Sequence, residues 1–532
     1  MLPHRRGCLI VLLVGLLATV GGAIVVRRAL DPERLRHIAE ARMGEAIGQP
    51  VTIGTIGVSF WPTPSVEAGD IRVGSGKAIA GRAPSVDVRA LRIHPKLSSI
   101  FSSPVVIDRV EVLGLAIRVR RDKDGHWLLP VTPVPGGGDG VRRAGKPSPV
   151  DVNEIVLRDG RVTFFSDAPG TAAGVQEAAT IRDLVATVRL QEGVTTVESM
   201  TAALGGSLLT GQGSAGPGGL KFSLSWTSLS AKDLPEVFAL LGAAAPRGLV
   251  VQGEKPLVLE LTVDPGGAPA ATGRIAADHA SLGTLALTAL DAPLRYSNRQ
   301  LVLDPVTFNT YGGSHRGRIT ADTAAVPVTW TLDSSMDRVD VNRLVSANSS
   351  AKGAIDGVGR LRARLRGSAA EPVLQTVAGT VVTNVSNGAI HNFPLVAAVN
   401  AALKAGAGDE KDLRFDNLSA TWQVANLRAA TSDLVATSGE LRLTAAGRLG
   451  FDQSLDFNGR LAFSRAKSDE LVRRVRELAA VRGADGEIEV PVTVTGTVAS
   501  PAFEVDARAL LLKAAEEELK RRLRKGLQRI IK

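Results

Sequence analysis

Few side chains in this chain are of a type or spacing that could do chemistry. Seven histidines, His4, His37, His94, His126, His279, His315 and His391, are scattered, and none forms an HxH or HExxH pair of the kind that holds a metal. Each reads as an ordinary surface or turn residue. The one cysteine, Cys8, lies in an apolar run, so neither an internal disulfide nor a cysteine-based metal site is available. "GQGSAG" (Gly211–Gly216) fits Gly-x-Gly-x-x-Gly, but "PGGLKFSLSW" follows it. That continuation reads as a turn and a strand, where a dinucleotide site needs a helix N-terminus. "DKDG" (Asp122–Gly125) begins like a calcium loop and lacks the further oxygen ligands and closing Glu. No P-loop and no G-x-S-x-G elbow is present. The expectation is a non-enzyme with no cofactor, no metal and no catalytic residue.

The elements around these residues are strands. In "ELRLTAAGRLGFDQSLDFNGRLAFS" (Glu440–Ser464), Leu441, Leu443 and Ala445 alternate with polar residues, as do Leu449 and Phe451, Leu455 and Phe457, and Leu461 and Phe463. Successive strand residues point to opposite faces, so each run has one apolar and one wet face. Gly447, Gly450 and Asn458-Gly459 read as punctuation between short strands. "RLRARLRG" (Arg360–Gly367) repeats the pattern, with Leu361, Ala363 and Leu365 opposite four arginines, and Ile488, Val490, Val492 and Val494 extend it. Asp124-Gly125, Asp159-Gly160, Asp356-Gly357, Asn387-Gly388 and Asp485-Gly486 read as hairpin turns. Helical patterns are few: 231–242, 339–346, 393–405, 467–480 and 505–531.

An apolar sheet face must be covered. Sheets can stack as sandwiches, close as barrels, or form a trough that holds something apolar. The long meander and the lack of linkers after residue 150 point to the trough. Its candidate lining is Leu361, Leu365, Leu441, Leu443, Phe451, Phe457, Phe463, Val490 and Val492, each of which could equally be plain core.

The chain has 532 residues and a formal charge of +10, of which residues 1–28 carry +4 and residues 520–532 carry +7, leaving −1 for the rest. Basic ends beside apolar residues suit membrane surfaces; nucleic-acid binding would put a basic stripe on the folded body. Cys8–Val26 holds 19 residues without a charge, about 28 Å of helix, near the ~30 Å hydrocarbon core. It reads as an uncleaved anchor, with a cleaved signal peptide as the alternative. At the other end Leu519, Leu523 and Leu527 share a face amid Arg521, Arg522, Arg524 and Lys525. This is a basic amphipathic helix for a membrane surface or a partner, or a cap on the last strand.

The expected organisation is mainly β. A transmembrane helix (1–30) precedes a helix-plus-strands module (31–129), a Pro/Gly-rich loop (130–149), a repetitive β body (150–504) and a C-terminal amphipathic helix (505–532). The body is expected to be one elongated, curled antiparallel groove with a few short helices.

Four segments, in this order, resemble the AsmA family of bacterial envelope proteins. They are Gly48–Gly74 with its Trp61-Pro62-Thr63-Pro64 step, Ala83–Trp127 with its Asp-Gly turn, "FNTYGGSHRGRI" (Phe308–Ile319), and Val494–Leu523. The resemblance implies a single-pass inner-membrane protein with a periplasmic body, related to bridge-like lipid transfer proteins. It implies a groove that takes phospholipid acyl chains in support of outer-membrane lipid homeostasis. The alternative it leaves open is a non-catalytic assembly or scaffold factor that binds outer-membrane or other envelope proteins through strand edges.

Overall fold

The computed structural model describes residues 32–47, 49–59, 65–74, 85–99, 105–121, 127–128, 150–166, 176–191, 193–227, 249–254, 256–265, 269–325, 327–370, 372–403 and 411–505, with a few single positions beyond these. The apolar run Cys8–Val26 and the 130–149 stretch lie outside the described residues. Among the described residues no helix is long and apolar enough to cross a membrane. The described chain is mainly β and falls into two units. One comprises residues up to Leu282 with Arg295–Asn298; the other comprises Gly283–Leu294 and the residues from Arg299 on.

The first unit opens with helix α1 (Pro32–Ile47). Ala39 and Met43, four residues apart on one helix face, are buried. They cover part of a sheet built from β1 (Val51–Thr52), β2 (Thr55–Ser59), β3 (Ser65–Val73), β4 (Ser85–Pro95), β5 (Val105–Arg121), β6 (Trp127–Leu128), β7 (Val150–Ser166) and β8 (Gln176–Gln191). It continues through β9 (Val194–Leu204), β10 (Ser207–Gly216), β11 (Gly219–Thr227), β12 (Leu249–Gln252), β13 (Leu257–Val263) and β14 (Pro269–Leu282). The expectation of a wholly antiparallel sheet fails at one ladder. β5 and β7 run parallel, from Val105 opposite Val150 to Arg120 opposite Phe165. Parallel neighbours need a crossover of a dozen or more residues, and the long connection between these two strands supplies it. "GQGSAG" lies within β10, followed by a turn into β11.

β15 (Leu285–Ser297) falls across the division between the units. The second unit then runs as β16 (Gln300–Thr310), β17 (Gly313–Asp322), β18 (Thr329–Asp340), β19 (Val358–Ser368), β20 (Ala378–Ile390), β21 (Leu413–Ala425), β22 (Arg428–Thr437), β23 (Leu441–Gly450), β24 (Ser454–Phe463), β25 (Ile488–Thr497) and β26 (Ser500–Val505). Each of these pairs antiparallel with the next.

The strands are longer than the glycine pattern suggested. Gly447 and Gly459 lie inside β23 and β24. A Cβ on Gly447 would sit 2.2 Å from the Asp456 carbonyl oxygen and 2.7 Å from the Phe457 ring. That glycine makes room for an opposing phenylalanine, not for a turn. Asp159-Gly160 and Asn387-Gly388 are likewise irregularities within β7 and β20, with Asp159 at φ 54° and Asn387 at φ 50°. Positive φ serves a bulge as well as a hairpin turn.

Helices sit between strands at one end of the second unit's sheet. α2 (Val341–Asn348) joins β18 to β19, and its first turn is capped by Asp340, whose side chain accepts from Arg343 N at 3.0 Å. The single turn α3 (Val373–Thr376) lies between β19 and β20 at the other end. α4 (Leu395–Ala402) joins β20 to β21, and α5 (Arg465–Arg474) with the 3-10 turn Arg476–Val481 joins β24 to β25. Thus α2, α4 and α5 fall on three of the expected helical segments. The 231–242 segment lies almost wholly outside the described residues.

Candidate functional site

Antiparallel register shows which residues of the second unit share a face. On β19 Arg360, Arg362, Arg364 and Arg366 are exposed while Leu361, Ala363 and Leu365 are half-buried. The exposed face is an array of ion pairs: Arg360 Nε lies 2.8 Å from Asp337, and Arg448 lies 2.6 Å from Asp456 on the facing strand. Such pairs keep one face wet.

The opposite face is apolar from strand to strand. The register through Leu365 runs Leu303, Ile319, Leu332, Leu365, Gly379, Val424, Ala429, Leu449, Leu455, Gly496 and Pro501, one residue from each strand from β16 to β26. No member carries a charge or a polar side chain. All but Val424, which is buried, and Gly496, which is exposed, are half-buried. Ten strand spacings make this row about 48 Å long. A neighbouring row holds Val306, Gly317, Ser334, Ala363, Val381 and Trp422, and later Gly447, Phe457, Val494 and Phe503. Trp422 and Phe457 meet edge to face with centroids 6.3 Å apart.

Six residues further along the same strands, about 20 Å away, the apolar face is covered. That row runs Val339, Gly359, Val385, Leu418, Ala436, Leu443, Leu461 and Val490. Leu395, Val396, Val399 and Leu403 from α4 and its end, Leu471 from α5, and Leu478 form one buried cluster with Val385, Ala436, Leu443, Leu461 and Val490 of this row, and Leu418 packs against it. Ser468 ties α5 down: its buried hydroxyl donates to Phe463 O and accepts from Ile488 N, both at 3.0 Å. The reason for the difference lies in the connections. At this end β18–β19, β20–β21 and β24–β25 carry helices. At the other end β21–β22, β23–β24 and β25–β26 are joined by two or three residues, too short to fold back over the sheet.

The expected lining residues divide accordingly. Leu365 lies in the open row and Leu361 two rows nearer the cap; both are half-buried. Phe457 is 9% exposed, opposite Gly447. Leu443, Phe463, Val490 and Val492 belong to the buried cluster, with Leu441 packed against it. Phe451 departs from expectation: β23 ends at Gly450, and Phe451 is 44% exposed in the following turn. Asp452 organises that turn by accepting from Ser454 N at 3.1 Å and Ser454 Oγ at 2.6 Å.

Of the C-terminal segment, Leu512, Glu516, Leu519 and Lys520 are described; all are helical and exposed, with Lys520 Nζ 2.8 Å from Glu516. Arg521, Arg522, Leu523, Arg524, Lys525 and Leu527 lie outside the described residues.

The first unit has a shorter version of the same surface. Met200, Gly211, Leu224, Leu259 and Gly273 align across β9, β10, β11, β13 and β14, all half-buried. Phe222 and Leu261 neighbour them in the next row.

Two histidines are more than surface residues. His315 is 6% exposed on the apolar face, stacked on Phe308 at 4.0 Å, with Nε2 2.9 Å from Ser334 Oγ. Burial holds its pKa below the ordinary histidine value. His391 has a carboxylate at each ring nitrogen: Asp356 2.9 Å from Nε2 and Asp412 3.0 Å from Nδ1. Hydrogen bonds to Asp356, then Asp412, raise its pKa. Among the described residues no group of three or more His, Cys, Asp or Glu side chains is arranged to hold a metal. Sequence reasoning missed both histidine environments and the cap. The cap was signalled only by the long helix-bearing connections 391–412 and 464–487.

Residues 271–434 match the AsmA family. No curated protein matches the chain.

Proposed function

We propose that this chain, which belongs to the AsmA family through residues 271–434, binds phospholipid acyl chains along the uncapped rows of its sheet and so supports lipid homeostasis of the bacterial envelope. The observation that carries the reading is the uncharged row from Leu303 to Pro501, left half-buried by the chain itself. The family match spans the part of that row from Leu303 to Ala429.

Moving acyl chains needs no catalytic group. Each CH₂ taken from water gains about 0.8 kcal/mol, so a chain lying on these leucines is favoured over one in solvent. Leu, Ala and Gly side chains offer no hydrogen bonds that would trap it. The opposite face, with Arg360–Asp337 and Arg448–Asp456 pairs, stays hydrated. In this reading the Cys8–Val26 run anchors the chain in the inner membrane, the β units lie in the periplasm, and the basic C-terminal segment meets a membrane or an envelope protein.

Site-specific photocrosslinking tests it. A photoreactive residue at Leu332 or Leu365 of the full-length protein, irradiated in cells, is expected to give phospholipid adducts, and one at Arg364 is not. Equal lipid labelling from both faces, or none from either, would overturn the reading. Protein adducts concentrated at β26 would favour the envelope-assembly alternative.

A further inference from the structure

After the end of β20, residues 392–403 carry α4, and the chain enters β21 past Lys411 and Asp412. α4 is apolar almost all round, and Leu395, Val399 and Leu403 are fully buried. Its weight in the cap is therefore large, yet Pro394 gives its N-terminus no side-chain cap. A backbone bond from Phe393 N to Lys411 O at 2.9 Å closes the base of the segment, and a polar cluster holds it beside that bond. Asp356 Oδ1 accepts from Ala389 N at 2.7 Å, and Asp356 Oδ2 meets His391 Nε2. Asp412 Oδ2 meets His391 Nδ1, and Asp412 Oδ1 accepts from Asn392 N at 3.1 Å. His391 N also donates to Ala354 O at 2.8 Å. The ring thus joins three places: the chain before β19, the exit from β20 and the entry to β21.

A neutral imidazole has one N–H and one lone pair. Only the imidazolium can donate to carboxylates at both nitrogens. Loss of its proton would set a lone pair against one of the two carboxylates. We propose that His391 is a proton-operated clasp: protonated, it locks the α4 segment over the apolar face, and deprotonated, it frees that segment to open and lengthen the exposed apolar surface. The groups facing the ring are Asp356 from the chain before β19 and Asp412 from the entry to β21. The bond from His391, then that from Asn392 N, and to a lesser degree the charge of Arg414 on β21, hold the Asp412 pKa below the ordinary carboxylate value.

The sign follows from linkage. His391 binds its proton more tightly in the folded chain than in the unfolded one. Its contribution is therefore complete below the ordinary pKa of 6.5 and is lost as pH rises through the raised value. Each unit by which the pKa is raised corresponds to about a tenfold change in the closed-to-open ratio.

The test is amide hydrogen exchange of the full-length protein from about pH 6 to about pH 9, corrected for the intrinsic pH dependence of exchange. Protection of the α4 amides is expected to fall across the His391 titration while β25 keeps its protection. In His391→Gln, which can donate to only one carboxylate, α4 is expected to be weakly protected at every pH. Flat α4 protection in the natural protein, or unchanged protection in the variant, would overturn the proposal. An NMR titration of the His391 ring decides the matter if the variant does not fold: a midpoint at or below 6.5 overturns it. The readout involves no lipid, so it stands or falls apart from the acyl-chain reading.

Discussion

Two rows on one face of the second unit, about 20 Å apart along the same strands, have the same chemistry and different fates. Val385, Leu443, Leu461 and Val490 are buried beneath α4 and α5. Leu303, Leu332, Leu365 and Leu449, equally apolar, are half-buried and, among the described residues, stand outside the cluster that α4 and α5 form. The strand residues do not distinguish the rows. The connections do: the three long helix-bearing excursions, with α2, α4 and α5, all lie at one end, while the other end has only the single turn α3 and otherwise connections of two to six residues. A sheet that was only a scaffold would gain by covering both rows, since each half-exposed leucine forfeits part of about 1.5–3 kcal/mol of burial. Leaving one bare is what a surface for an apolar partner requires.

The largest effect expected from this contrast is at Phe463. It is fully buried, so Phe463→Ala is expected to cost about 3–5 kcal/mol in chemical denaturation. Leu365→Ala, in the open row, is expected to cost about 1 kcal/mol or less, because a half-exposed site leaves no closed cavity. Comparable losses at the two positions would mean that the open row is covered after all. Next comes Gly447→Ala, whose Cβ would press on Asp456 O and the Phe457 ring. About 1–3 kcal/mol is expected from that overpacking, read from the same denaturation midpoint.

Asp340→Ala removes the bond to Arg343 N and should cost about 1 kcal/mol. The loss of hydrogen-exchange protection should be confined to α2 and its neighbours in the capped zone, and loss in the open rows would show that the zones are not separate. Smallest is Arg448→Ala on the wet face. An exposed pair such as Arg448–Asp456 is worth about 0.5 kcal/mol or less, and neither lipid retention nor thermal midpoint should move measurably.

Much of this architecture is legible in the sequence, because alternation is a local signal. Arg360–Gly367 announces its two faces, and Ile488–Val494 does the same. Strand lengths were less legible. Gly447 and Asn458-Gly459 resemble turns but lie within strands: Gly447 stands opposite Phe457, where it relieves crowding as readily as it would permit a bend, and Gly459 stands opposite Ala445, its missing Cβ leaving room for the Thr444 carbonyl. Asn387-Gly388 forms an irregularity in β20 for the same reason. The division of lining candidates into capped and open was not legible, because it depends on where α4 and α5 fold back. His391 was invisible as a site: its partners lie 35 and 21 residues away and meet it only through the register of β19, β20 and β21.

The central claim is that the open row holds lipid, and native mass spectrometry of the full-length protein, gently purified from cells with lipid extraction in parallel, tests it most directly. The account predicts co-purifying phospholipid that is lost in Leu365→Asp and retained in Thr444→Asp on the wet face, with both variants folded. A folded protein that carries no lipid, or one that keeps its lipid when Leu365 becomes charged, would contradict it.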